Sequence, residues 1–212
     1  MPRVRVHQHV NPLAPFYRFA PPPLEVENVF ANPQSPLFLD IGSGRGRFLL
    51  KMAEIEPERN FLGVEIREPL VVEANRLAGE YNLTNLHYEF CNASFALDEF
   101  LKNLPANHLQ TVTIQFSDPW YKNKHAKRRM VTGDLVATII EHLGISGEIF
   151  VQTDVDFLAE EMFAILRANA SLNEIEIAEN PFPVKTEREK SVEERSLPIY
   201  RRLFKKNSDL KS

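Results

Sequence analysis

Leu37-Phe38-Leu39-Asp40-Ile41-Gly42-Ser43-Gly44-Arg45-Gly46 is an apolar run that drives straight into a glycine-rich turn. Phe48, Leu49, Met52 and Ala53 then recur at helical spacing from Arg47 to Glu54. A strand from Pro36 to Ile41, a tight turn and a helix make one half of a βαβ unit. The pattern continues outward. Asn60 to Ile66 reads as a second strand, Pro69 to Tyr81 as a helix and Leu86 to Phe90 as a third strand. A short helix capped by Ser94 follows, ending near Leu101, and His108 to Phe116 is the fourth strand. Val131 to Leu143 is a helix with Thr132 as its cap, Gly147 to Gln152 the fifth strand, and Asp154 or Asp156 opens the next helix. Leu172 to Ala178 and Ile199 to Phe204 are the last two strands. No helix lies between them, so they pair antiparallel at one edge, and Asn180 to Pro198 reads as a charged loop. The expectation is a doubly wound α/β domain over residues 37–212, with a mostly parallel seven-stranded sheet. Residues 1–36, with Pro21-Pro22-Pro23, read as an irregular arm.

In such sheets ligands bind beyond the carboxyl ends of the strands. That rule gathers Asp40, Glu65, Asn92, Asp118 and Asp154 on one rim, because each closes or just follows a strand. Gly42 and Gly44 let a ligand approach the backbone. The spacing G-x-G-x-G differs from the dinucleotide fingerprint, and Asp40 beside it repels a pyrophosphate but suits an ammonium group. Glu65 stands where an acid accepts both hydroxyls of a ribose, and Asn92 where an amide meets an adenine edge. An ammonium, a ribose and an adenine together describe S-adenosylmethionine, with S-adenosylhomocysteine as its product. NAD is the rival, disfavoured by the glycine spacing.

The fourth strand runs into Phe116-Ser117-Asp118-Pro119-Trp120-Tyr121-Lys122-Asn123-Lys124-His125-Ala126-Lys127-Arg128-Arg129. Five cations and a histidine fall within residues 122–129 of a chain whose net charge is -4. A carboxylate and the single tryptophan beside a basic loop point to a reaction site next to a polyanion. The segment resembles the F-P-D-P-W-P-K-x-R-H-x-K-R-R signature of bacterial tRNA (guanine-N7)-methyltransferases, a family that modifies guanine 46 in the variable loop of tRNA. The likeness extends to Asp40-Ile41-Gly42, Phe61 to Glu65, Gln152-Thr153-Asp154, Thr186 to Glu189 and Pro198 to Arg201, about residues 37–204 in all. His7 to Leu13 is similar to the arm of cyanobacterial and plastid members.

The resemblance implies a Rossmann-like, S-adenosylmethionine-dependent methyltransferase fold. It implies cofactor contacts at Asp40, Glu65, Asn92 and Asp118, and substrate contacts at Lys122, Asp154, Thr186, Glu187, Arg188 and Glu189. It implies RNA contacts at Lys124, His125, Lys127, Arg128 and Arg129. The chain departs from the pattern at Asp40, where many members carry Glu, and at Asn92, where Asp is common. Ser117 and Tyr121 replace prolines, and Arg188 replaces an aromatic residue.

Guanine N7 carries an in-plane lone pair and no proton, so its methylation needs no general base. Asp118 is therefore expected to position the base and stabilise the charge that develops on it. Trp120 is a candidate for stacking on the base, although a lone tryptophan more often fills a core. Cys91 alone excludes an intrachain disulfide and any multi-cysteine zinc site. His7 and His9 have no carboxylate partners nearby in sequence, His108 and His142 read as surface or helix-end residues, and no metal is expected. The amino-terminal sequence lacks the apolar core of a secretory signal. A cytoplasmic protein is expected, monomer or homodimer, with no obligatory partner subunit and no membrane association.

Overall fold

The computed structural model describes residues 10–208. Seven strands form one sheet: β1 (Leu37–Ile41), β2 (Asn60–Glu65), β3 (Leu86–Phe90), β4 (Leu109–Gln115), β5 (Leu143–Thr153), β6 (Leu172–Glu176) and β7 (Tyr200–Lys206). Their order is β3-β2-β1-β4-β5-β7-β6. The first five are mutually parallel, while β7 runs antiparallel to both β5 and β6. The doubly wound, mostly parallel sheet with an antiparallel final pair is thus present. The order reverses between β1 and β4, which opens the ligand crevice at their carboxyl ends.

The helices are α1 (Val26–Val29), α2 (Arg47–Ile55), α3 (Glu68–Glu80), α4 (Ala93–Leu101), α5 (Gly133–His142), α6 (Asp156–Arg167) and α7 (Glu187–Glu194). Strand side chains alternate between faces, and the two cores follow that alternation. Leu37, Leu39 and Ile41 of β1 join the core formed with α4, α5 and α6, whereas Phe38 joins the one formed with α2 and α3. Asp40, in phase with Phe38, therefore lies on the α2 side at the end of its strand.

Four local expectations change. Leu24, Val26 and Phe30 are buried in the first core, so the later part of the amino-terminal segment packs as an integral piece of the domain. Asn92 rather than Ser94 precedes α4 as its cap residue. His108 is buried at the foot of β4, and burial lowers its pKa, whereas His142 does end α5 and meets Asp98 at 2.9 Å. The charged stretch after β6 contains α7. Thr186 caps it by accepting from the Glu189 backbone N–H at 3.1 Å, Glu187 adds an acid in the first turn, and Val192 is fully buried. The expected cap at Thr132 is present, accepting from Leu135 N at 3.2 Å. His7 and His9 lie outside the described residues.

Candidate active site

Two joined chambers open at the carboxyl ends of the strands. The larger, about 680 Å³, is lined by Asp40, Gly42, Gly44, Asp118, Lys122, His125, Asp154, Thr186, Glu187 and Arg188 among others. The smaller, about 130 Å³, is lined by Glu65, Asn92, Arg128 and the arm residues Val10 and Pro12. Gly42, Arg67, the segment Gln115 to Asp118, and Trp120 border both. The sheet thus assembles on one rim residues that lie up to 148 positions apart in the chain, from Asp40 to Arg188.

The turn after β1 is shaped by backbone that L side chains rarely adopt. Gly44 has φ +58° and donates its N–H to Glu65 Oε2 at 2.9 Å, so the turn and the end of β2 are one unit. Gly46 has φ +73°, and a Cβ there would lie 2.6 Å from the Tyr88 ring. Tyr88 in turn donates its hydroxyl proton to the Gly46 carbonyl.

Asp40 is 5% exposed and accepts from Thr113 Oγ1 at 2.6 Å, a partner set by the register of β1 and β4. Burial pushes its carboxyl up to about 6; the Thr113 and Gln115 side chains oppose the shift and nearby Glu65 adds to it. A buried carboxylate with so little compensation is built to receive a cation. The linkage has a definite sign. A carboxyl that titrates higher in the folded chain stabilises the fold below its unfolded value of 3.8, and that contribution is lost as pH rises through about 6. Asp40→Asn is therefore expected to raise the unfolding free energy of the ligand-free protein at pH 8 by on the order of 3 kcal/mol, with no gain at pH 3. Thermal melts at the two pH values check this.

Glu65, 3% exposed, takes Arg67 Nε at 2.9 Å and Arg67 Nη2 at 3.0 Å on its two oxygens, together with the backbone N–H groups of Gly44 and Arg67. Burial opposes the charge on Arg67, yet the Glu65 bonds and the fields of Glu65 and Asp118 outweigh it and raise its pKa. Arg67 escaped the sequence reading, although the Glu65-Ile66-Arg67 spacing is the signal for it. Both amide protons of Asn92 are held by the arm, at 2.9 Å to Pro12 O and 3.2 Å to Tyr17 O. Only its Oδ1 is left to meet a ligand, which suits an exocyclic amine.

The substrate side is strained and clamped. Phe116 and Trp120 hold φ of +51° and +45°, positions costly for bulky residues and common where function fixes the backbone. Asp118 lies exposed between them. The basic run is a 3-10 helix, Asn123–Arg128, with Lys124 and Lys127 exposed. Trp120 packs against Arg128, whose Cζ stands 4.9 Å over its ring, and edge-on to His125 at 5.7 Å. Burial and the neighbouring cations keep His125 below its usual pKa.

Two predicted contact residues are placed elsewhere. Arg129 is 8% exposed and spends its guanidinium on Pro119 O at 3.0 Å, Trp120 O at 3.4 Å and Glu161. It fixes the Asp118 loop rather than facing a phosphate. Glu189 is fully buried; it accepts from Gln152 Nε2 at 3.1 Å, Asn180 Nδ2 at 2.8 Å and Arg201 Nη2 at 2.9 Å. Its neighbours Glu187 and Arg188 do reach the cavity, and each pairs across it. Arg188 meets Asp154 at 2.5 Å and Glu187 meets Arg47. On the RNA contacts that the resemblance implies, Lys124→Ala with Lys127→Ala is expected to leave the melting temperature unchanged while flattening the salt dependence of RNA binding by about two units of log-log slope. Arg129→Ala is expected to lower the melting temperature by several degrees, since it frees two loop carbonyls. Filter binding across a salt series and a melt of each variant separate the roles.

Among the described residues, seven buried side-chain polar atoms lack a hydrogen-bond partner. Four of them, Ser43 Oγ, Gln115 Nε2, Ser117 Oγ and Arg128 Nε, belong to residues that line the chambers. Buried polar groups are ordinarily satisfied, so their concentration here marks a place made for a polar ligand.

No group of three or more potential metal ligands occurs among the described residues, and no helix there is long and apolar enough to cross a membrane. A solved antibiotic-resistance methyltransferase, Kmr, superposes with TM-score 0.57 over 87% of this chain and 90% of its own, at 16% identity. That likeness establishes the methyltransferase fold. The family model described as "Putative methyltransferase" matches residues 34–202. A tRNA (guanine-N(7)-)-methyltransferase of Trichormus variabilis is 50% identical over 98% of this chain and 99% of its own. Another from Synechococcus elongatus is 47% identical over 96% and 97%. With the fold, the rim of acids and near full-length identity in agreement, the chain belongs to the tRNA (guanine-N7)-methyltransferase family.

Proposed function

We propose that this protein methylates N7 of guanine 46 in the variable loop of tRNA, using S-adenosylmethionine as the donor. The observation that carries the reading is the pair of adjoining chambers, with Asp40 and Lys122 lining the larger, Glu65 and Asn92 the smaller, Asp118 bordering both, and exposed Lys124 and Lys127 following Lys122 in the chain. The residues present fit the donor. Asp40 offers a buried carboxylate to an ammonium, the glycine turn leaves room at the backbone, and Asn92 Oδ1 suits an adenine amine. Glu65 serves ribose hydroxyls once Arg67 yields one of its bonds. The bound donor supplies an electrophilic methyl group.

The chain's own residues do the rest by position and charge. Asp118 accepts from the guanine N1–H and amine, holds the base, and stabilises the positive charge that methylation leaves on the ring. Asp154, oriented by Arg188, faces the same chamber from the other side. Lys122 takes the phosphate or ribose of the target nucleotide, and Lys124 and Lys127 take neighbouring phosphates. The guanine must be turned out of the folded tRNA to enter. The protein acts in the cytoplasm, as a monomer or homodimer without a partner subunit.

The test is methyl transfer from labelled S-adenosylmethionine to unmodified tRNA, followed by chemical cleavage at 7-methylguanosine. Label at position 46, lost when that guanine is replaced by adenine, is the expected result. Label elsewhere, or none on a tRNA that carries the guanine, would refute the reading.

A further inference from the structure

Gln115 closes β4, borders both chambers, and presents a buried Nε2 that makes no hydrogen bond. Which end of a carboxamide faces a cavity is normally ambiguous, because oxygen and nitrogen look alike. Here it follows from neighbours whose roles are fixed. Arg201 can only donate, and its Nε lies 3.0 Å from Gln152, so the Gln152 oxygen must face it. The Gln152 nitrogen then faces the buried Glu189 carboxylate at 3.1 Å and Gln115 at 2.8 Å. Gln115 must offer that nitrogen an oxygen. Its own NH₂ group is thereby turned away from Gln152 and toward the Asp40 carboxyl, whose ionised form it favours.

The amide nitrogen carries two N–H groups; Asp40 takes at most one of them, and the other is left for an acceptor on a ligand in the chambers that Gln115 borders. On the assignment of S-adenosylmethionine made above, the amino-acid end meets Asp40. Its ammonium and sulfonium carry positive charge and cannot accept; its α-carboxylate can. We infer that Gln115 Nε2 binds the α-carboxylate of the methyl donor, and that Arg201 and Gln152 are positioning residues that hold the amide in the donating orientation. Asp40 and Gln115 then read the two charges of the amino acid from adjacent strands. The amide of Gln115 thus ties the donor site to Glu189 of α7, whose first turn lines the acceptor chamber.

The experiment is calorimetric binding of two probes, S-adenosylmethionine and its decarboxylated form, which keeps the ammonium and lacks the carboxylate. Gln115→Met preserves the volume and removes the donor. It should weaken S-adenosylmethionine binding about tenfold or more beyond the smaller loss shown by the decarboxylated probe, which reflects only the support that Gln115 gives the ionised Asp40. Gln115→Asn, which keeps the amide but shortens its reach, should show the same selectivity and guards against a variant that fails to fold. Equal loss for both probes would mean that Gln115 acts through Asp40 and the ammonium or on the adenosine that both share, and unchanged binding of both would mean that it does not touch the methyl donor; either overturns the inference. If the unsubstituted protein binds neither probe, the donor assignment itself falls. If it binds both and only the selectivity is missing, that assignment stands without this contact.

Discussion

Asp118→Ala is expected to lower the rate of methyl transfer by about a thousandfold while the protein remains folded. Its carboxylate is exposed at the junction of the chambers and lies outside the core, and its support of the partly exposed Arg67 is of the kind that contributes little to stability. The loop around it is held by other groups, chiefly the Arg129 bonds to Pro119 O and Trp120 O. What disappears is a fixed negative charge beside a base that becomes cationic. Asp118→Asn keeps an acceptor and loses the charge, so its rate should fall between the two. No general base is required, so the pH profile of the residual activity should keep its shape. Single-turnover assays on tRNA, with a melt of each variant, give the result. A loss smaller than tenfold for Asp118→Ala would remove the electrostatic role.

The second large effect concerns stability. Arg201→Ala removes the only cation, among the described residues, bonded to the fully buried Glu189, which keeps its Gln152 and Asn180 donors but loses its counter-charge. Breaking a buried pair from one side costs about 3–5 kcal/mol, far more than its net contribution to the intact fold. For a chain of this size that corresponds to a fall of roughly 10 °C in melting temperature. Adding Glu189→Gln to Arg201→Ala removes the stranded charge and should restore much of the loss. A double-mutant cycle in urea measures the coupling, and additive losses would argue against a charge-pair origin.

Much of this fold was legible because its signals are local. Strand-turn-helix alternation needs only period and glycine spacing, and the rim of Asp40, Glu65, Asn92, Asp118 and Asp154 follows from strand ends alone. The helix α7 was missed because its face is mostly charged and carries no apolar stripe. Its signal lay elsewhere, in Thr186 and Glu189 three residues apart, a capping pattern hidden within a run of charge. Arg129 and Glu189 illustrate a different limit. A sequence shows that a residue is charged, but not whether its charge faces solvent or a polar partner brought in from a distant element. Arg129 meets Glu161, 32 residues away, and Glu189 meets Gln152, 37 residues away. The orientation of Gln115 lies deeper still, since it depends on three other side chains from two strands and a helix.

The placement of β7 between β5 and β6 has a consequence for biosynthesis. The ribosome makes this strand last, yet it is an inner member of the sheet. Until residue 206 has left the exit tunnel, β5 keeps one flank of peptide groups bare and β6 has no partner at all. The nascent chain must therefore hold an open edge from the emergence of β5 until β7 follows it, a period when such edges invite wrong partners. The Gln115 amide waits on the same moment, because Arg201, which sets its orientation through Gln152, arrives with that final strand. A stalled or prematurely released chain ending before Tyr200 lacks Arg201, and with it the contact that orients the Gln115 amide.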